Sequence, residues 1–151
     1  MLCIITLIGC TIEEEKIINN DSDIEKEVEV VRTTRIKMIF RENEIVIKML
    51  DNPSTTDFLK RLPIELKFED YNSTEKITYL PSKLSNDNAS SGMTPQVGDF
   101  AYYAPWGNLA IYYKGFSYSS GLVLLGQIEE GIEKIELIAN NELVKIEVIS
   151  D

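Results

Sequence analysis

The sequence predicts a mostly β protein: a closed, antiparallel, eight-stranded barrel with two short helices at the barrel ends. Three observations lead there. Several short runs alternate apolar and polar residues with a period of two, as half-buried strands do. Turn residues separate those runs at close intervals. Only two segments have helix signals, one of them opened by a capping residue and a proline. Eight strands lose their exposed edges when they close on themselves, and two helices suit two open ends.

The elements follow in order. Residues 34–40 place Thr34, Ile36, Met38 and Phe40 on one face, with Arg35 and Lys37 opposite. Arg41, Glu42 and Asn43 make a polar turn, and residues 44–50 return as the second strand of a hairpin. Asp51-Asn52-Pro53 starts a helix over residues 53–62, with Phe58, Leu59 and Leu62 as its apolar stripe and Pro63 as its stop. Ile64, Leu66 and Phe68 alternate with Glu65, Lys67 and Glu69, and a further short strand covers residues 75–80. Residues 84–95, rich in Ser, Asn, Asp and Gly, read as a long surface loop. Strands at 100–104 and 109–114 flank the turn Pro105-Trp106-Gly107-Asn108, and another covers 122–128. Ile132, Ile135 and Ile138 mark a short helix over residues 131–138. Val144, Ile146 and Val148 alternate through the last strand.

Composition excludes several kinds of chemistry. The chain of 151 residues is 44% hydrophobic, enough for one folded domain with a core. Its formal net charge of −10 repels phosphate backbones, so nucleic acid is not an expected partner. The chain has no histidine, which removes Ser-His-Asp and Cys-His catalysis and imidazole metal sites. The two cysteines are Cys3 and Cys10, so the body beyond residue 10 has neither a disulfide nor a thiol nucleophile. The sequence shows no Gly-rich phosphate loop and no calcium loop, and no cofactor or metal is expected.

Residues 1–9 are nearly all apolar and too few to span a bilayer as a helix. They read as an export signal, and Leu7-Ile8-Gly9-Cys10 resembles a bacterial lipobox, whose cysteine is acylated after cleavage. The segment departs from the pattern in one respect: no Lys or Arg precedes the apolar run, and the first basic residue is Lys16. The other reading is an accidental apolar N-terminus. Residues 11–33 carry Glu13-Glu14-Glu15 and further acids at 21, 23, 25, 27 and 29, with no aromatic residue. They read as a solvated tether, the alternative being a fraying surface helix at 24–31. The expected organisation is a signal with lipobox at 1–10, an acidic tether at 11–33 and a folded domain at 34–149, outside the cytoplasm and held to the membrane by lipid at Cys10.

The order of two strands, a helix, five strands, a helix and a last strand resembles the cyclophilin fold. Ala110-Ile111-Tyr112-Tyr113, followed by residues 120–128, is similar to the cyclophilin run F-F-I … D-G-K-H-V-V-F-G-K-V. The chain looks closer still to a family of small bacterial cyclophilin-like domains. It shares with them D-N-P at 51–53, F-E-D-Y at 68–71, E-K-I-x-Y-L-P at 75–81, G-D-x-x-Y-Y-A-P-W-G-N-L-A-I-F-Y-K at 98–114 with Tyr112 in place of that phenylalanine, and Y-S-S-G-L at 118–122. The resemblance covers roughly residues 34–149. It implies the barrel, and it would imply prolyl isomerisation if the isomerase residues were present. Prolyl isomerases of the true cyclophilin family use an arginine in F-H-R and a histidine near the G-K-H step. Here that step is Gly121-Leu122-Val123, and none of Arg32, Arg35, Arg41 and Arg61 stands in such a context. Twisting a prolyl amide needs a positioned donor, so the activity loses its mechanism.

The candidate site is aromatic. Tyr102, Tyr103, Trp106, Tyr112, Tyr113, Phe116 and Tyr118 cluster in sequence, and adjacent strand residues point to opposite faces, so one of each tyrosine pair must face outward. Tyr102, Trp106, Tyr113, Phe116 and Tyr118 are the expected ligand-binding set, with barrel packing as the competing role for any one ring. Trp106 stands out because it lies in a turn. Asp70, Glu75 and Asp99 are the nearby carboxylates; turn and edge chemistry is their expected use, acid–base work the alternative. Ser117, Ser119 and Ser120 form a polar turn with no base to activate them. No catalytic residue is expected. The expected function is a binding module for a peptide or small molecule on a membrane-tethered lipoprotein, the alternative being a divergent prolyl isomerase.

Overall fold

Ile36, Met38 and Phe40 point one way along β1 (Arg35–Phe40), and Ile45, Ile47 and Met49 do the same along β2 (Asn43–Met49). Phe40 pairs with Asn43 across the turn, so the two buried stripes of the hairpin fall on one face. That face is the inside of a barrel. The computed structural model describes residues 33–87 and 91–150. Besides the hairpin it contains β3 (Ile64–Tyr71), β4 (Glu75–Tyr79), β5 (Gly92–Met93), β6 (Asp99–Tyr103), β7 (Asn108–Tyr112), β8 (Ser119–Ser120), β9 (Leu122–Glu130) and β10 (Glu142–Val148).

Eight of these strands close in the order β1-β10-β3-β4-β7-β6-β9-β2, every neighbouring pair antiparallel. The predicted fold class is the observed one. Closure leaves no edge among these strands and encloses one apolar cluster, in which Phe40, Phe58, Phe68, Phe100 and Tyr102 are the largest side chains. β5 and β8 form a separate two-stranded ladder, Gly92 opposite Ser120 and Met93 opposite Ser119. The sequence pattern predicts a loop at residues 92–93 and a turn at 119–120. Two-residue strands carry too little alternation to be seen.

Helix α1 (Pro53–Leu59) starts as its sequence predicts. The Asn52 side-chain oxygen accepts from the Thr55 amide at 2.9 Å, and Pro53 opens the helix. The helix ends three residues before the predicted limit of 62. Leu62 precedes Pro63, and a residue before proline is pushed out of the helical region, so the chain closes with Arg61→Phe58 and Leu62→Leu59 backbone bonds instead. Phe58 reaches into the barrel and meets the Phe100 ring at 5.7 Å.

The second helix is a 310 turn at Ile132–Leu137. Its isoleucines recur every three residues, which is the 310 period rather than the α period. Ile135 and Ile138 are buried in the barrel cluster, whereas Ile132 is exposed. β2 runs from Val46 beside Glu130 to Met49 beside Gly126, so α1, which follows β2, and the 310 turn, which follows β9, stand at opposite barrel ends. At Gly126 a Cβ would lie 2.6 Å from the Lys48 carbonyl oxygen, so the β2–β9 seam requires glycine there.

The signal segment, Cys10 and, but for residue 33, the acidic tether lie outside the described residues.

Candidate functional site

Both faces of β6 and β7 are apolar, which is unusual for a barrel wall open to water. Phe100, Tyr102, Leu109 and Ile111 fill the inside. Their neighbours Ala101, Ala110 and Tyr112 join Ile77 and Leu122 in a second buried cluster, with Met93 and Tyr103 packed on it. By alternation this second layer lies on the outer face of β4, β7, β6 and β9. Ala101 stands directly opposite Ala110 in the register, so the wall is thin there. The larger Tyr103 and Tyr112 stand two residues further along their strands.

Those two tyrosines line a groove of about 350 Å³ together with Tyr71, Trp106, Phe116 and the polar residues Asn72, Thr74, Glu75, Asn108 and Ser119. That volume is within the range of small-ligand sites. The β6–β7 turn holds Trp106 at the rim. The Gly107 amide bonds back to the Tyr103 carbonyl at 2.9 Å. Pro105 lies over Gly121, where a Cβ would come within 2.9 Å of the proline ring, and the positive φ of +80° there also favours glycine. Trp106 meets the Tyr71 ring at 5.7 Å and the Tyr103 ring at 5.4 Å, both edge to face. Even so it stays 49% exposed.

Glu75 and Asn108 are the polar groups of the groove with perturbed surroundings. Glu75 opens β4 directly opposite Tyr112. Burial pushes its carboxyl above the usual range, opposed by the hydrogen bond donated by the Tyr112 hydroxyl. Burial, and then the Glu75 carboxylate, push the Tyr112 phenol up in turn. Among the described residues no ion pair reaches Glu75. Asn108 is 2% exposed. Its Nδ2 donates to the Leu109 carbonyl at 3.2 Å, while its Oδ1 is buried without a hydrogen-bond partner among the described residues. The neighbouring carbonyl fixes this orientation, since a flipped amide would set two acceptors against each other.

The five residues expected from sequence are not all brought together. Trp106 and Phe116 line the groove. Tyr102 is 1% exposed inside the barrel, and its hydroxyl accepts from the Leu84 amide at 3.1 Å. Tyr113 lies on the inner side of its strand, donating to Asp70 Oδ2 at 2.6 Å. Tyr118 flanks the small β5–β8 ladder, its hydroxyl 3.4 Å from Ser91 Oγ, and does not line the groove. The outward member of each tyrosine pair is therefore Tyr103 and Tyr112. Tyr71, Glu75 and Asn108 complete the groove and were absent from the expected set.

The remaining carboxylates have structural partners. Asp99 is buried and accepts from the Gln96 amide at 2.8 Å and from Gln127 at 3.2 Å, the turn role expected of it. Asp70 accepts from Lys76 at 2.9 Å as well as from Tyr113. Burial would raise its carboxyl, but the hydrogen bonds from Tyr113 and Lys76 outweigh burial and hold it below the ordinary value.

A model of the Cyclophilin-like family matches residues 38–148, and the chain belongs to that family. Among solved structures, the chain is similar to the solution structure of a hypothetical protein from Archaeoglobus fulgidus, with a TM-score of 0.62 and 16% identity, covering 76% of this chain and 94% of that one. At that identity the likeness is one of fold. A comparison with curated proteins finds no match.

Proposed function

We propose that this protein is a non-enzymatic binding module whose ligand, a short peptide or a small molecule, occupies the outer aromatic groove. The observation that carries the reading is Trp106, a half-exposed indole braced by two rings at the rim of a preformed groove. Exposed aromatics gathered around one concavity mark binding surfaces, because rigid rings give contact area at low entropic cost. Among the described residues no Lys or Arg lines the groove, and the chain has no histidine. A prolyl amide would therefore find no cationic donor there.

In the same proposal the module stands outside the cytoplasm on a lipid anchor at Cys10. Supporting it are the apolar run of residues 1–9, the small Gly9 before the cysteine and the acidic stretch behind it. Intact mass of the membrane fraction checks this: an acylated chain beginning at Cys10 is expected, and an unmodified chain beginning at Met1 contradicts it.

The groove is tested by titrating ¹⁵N-labelled protein with short Ala-Pro peptides carrying lysine, glutamate or leucine beside the alanine. Shifts from at least one peptide are expected at the Trp106 indole, Tyr103 and Tyr112, with no acceleration of cis–trans exchange in the peptide. No perturbation by any peptide contradicts the binding reading. Accelerated exchange that disappears in Trp106→Ala would replace it with a divergent isomerase.

A further inference from the structure

We infer that the groove selects ligands carrying a protonated amine or guanidinium, such as a basic side chain of an extended peptide, with Glu75 and the aromatic walls receiving the cation and Asn108 Oδ1, four residues along β7 from the tyrosine opposite Glu75, accepting a further N–H of a longer ligand. The inference rests on the groove being a ligand site and adds the chemistry of what it takes. Among the described residues Glu75 is the one charged side chain lining it. It has a hydrogen bond from Tyr112 and no cationic partner among the described residues, so a partly buried carboxylate stands uncompensated. Nearby lysines are engaged elsewhere. Lys76 turns to the other side of β4 and pairs with Asp70, Lys114 lies 5.7 Å from the centre of the Tyr113 ring, and Lys83 Nζ donates to the Pro105 carbonyl at 3.4 Å.

Asn108 supplies the second, independent argument. Its buried Oδ1 accepts no hydrogen bond among the described residues, and an unsatisfied buried acceptor is costly. A bound N–H donor would satisfy it. An anion could not: it would bring acceptors to an acceptor and a negative charge to Glu75. The walls agree with this choice. Trp106, Tyr71 and Tyr103 offer π faces and edges around the opening, and a cation over such a face is attracted by the ring quadrupole. The chain's net charge of −10 favours approach by the same class of ligand.

Four probes of one shape separate the possibilities: benzylammonium, benzyltrimethylammonium, benzyl alcohol and benzoate, each titrated into ¹⁵N-labelled protein and followed at the Trp106 indole and the Tyr112 amide. Benzylammonium is expected to bind about tenfold more tightly than benzyl alcohol, the scale of one charge-assisted hydrogen bond. Benzoate should be weakest. The trimethyl compound, which keeps the charge but has no N–H to donate to Glu75, should fall between the ammonium and the alcohol. In Glu75→Gln the advantage of the ammonium over the alcohol should disappear, with an unaltered spectrum away from the groove reporting an intact fold. If the alcohol or benzoate equals the ammonium at the groove, cation selection is wrong and the ligand site stands. If none of the four perturbs the groove, both readings fail.

Discussion

Phe100→Ala is expected to lower the free energy of unfolding by about 4 kcal/mol, near the top of the range for a single core truncation. Phe100 is fully buried at the middle of the barrel and meets Phe58 from α1 at 5.7 Å. It packs that end helix onto the sheet, alongside the Asn52 and Thr55 side-chain bonds to the Leu124 and Leu125 carbonyls. Removing the ring deletes its transfer free energy and leaves a cavity. Closed strands cannot collapse into that cavity, because each is hydrogen-bonded on both sides. Its neighbour Ala101 faces outward, so the loss concerns the inner layer alone. Denaturant unfolding measures it from the shift in midpoint at constant slope. A loss under about 1.5 kcal/mol would mean that the interior is loosely filled.

The second large effect belongs to the polar end of the barrel. Lys76 is only 6% exposed and shares Asp70 with the Tyr113 hydroxyl, its ammonium lying 5.4 Å from the centre of the tyrosine ring. Asp70→Ala strands that lysine, and a buried charge that has lost its partner destabilises by about 3 kcal/mol. Asp70→Leu combined with Lys76→Met should recover most of the loss, since the pair itself contributes little beyond an apolar replacement. The pH dependence follows from the direction of the Asp70 shift. Its carboxyl titrates below the ordinary 3.8 when folded, so its contribution is complete above that value. It is lost as pH falls from 3.8 through the lower folded value. In Asp70→Ala that part of the acid sensitivity should disappear.

The barrel was legible because its strands alternate cleanly where one face meets water. Ile36, Met38 and Phe40 against Arg35 and Lys37 leave one solution. The site was less legible because β6 and β7 lack that contrast. In D-F-A-Y-Y and N-L-A-I-Y both alternate sets are apolar, and period two does not say which tyrosine faces in. The discriminating signal was size. Phe100, Leu109 and Ile111 fill a barrel interior, whereas Ala101 and Ala110 do not, and that parity sends Tyr102 and Tyr113 inward and Tyr103 and Tyr112 outward. Asn108 carried the same parity at the start of β7, where a buried polar residue in an apolar run is itself a mark. Glu75 comes to the groove through the pairing of β4 with β7, which no local pattern reveals, and Tyr71 follows by standing opposite Glu75 in the β3–β4 pair. Trp106 was readable because a large ring in a Pro-Trp-Gly turn has no strand to fill.

The most direct test of the groove as a ligand site is Trp106→Ala, read for stability and for binding in one preparation. The indole makes two edge-to-face ring contacts and stays half exposed, so its loss is expected to cost about 1–2 kcal/mol. Peptide-induced shifts at Tyr103 and Tyr112 should vanish in the same sample. A stability loss of about 3 kcal/mol or more, the scale of a core truncation, with those shifts retained would make Trp106 a staple of the barrel rim that holds no ligand, and absence of the shifts in the unsubstituted protein would contradict the groove as a ligand site.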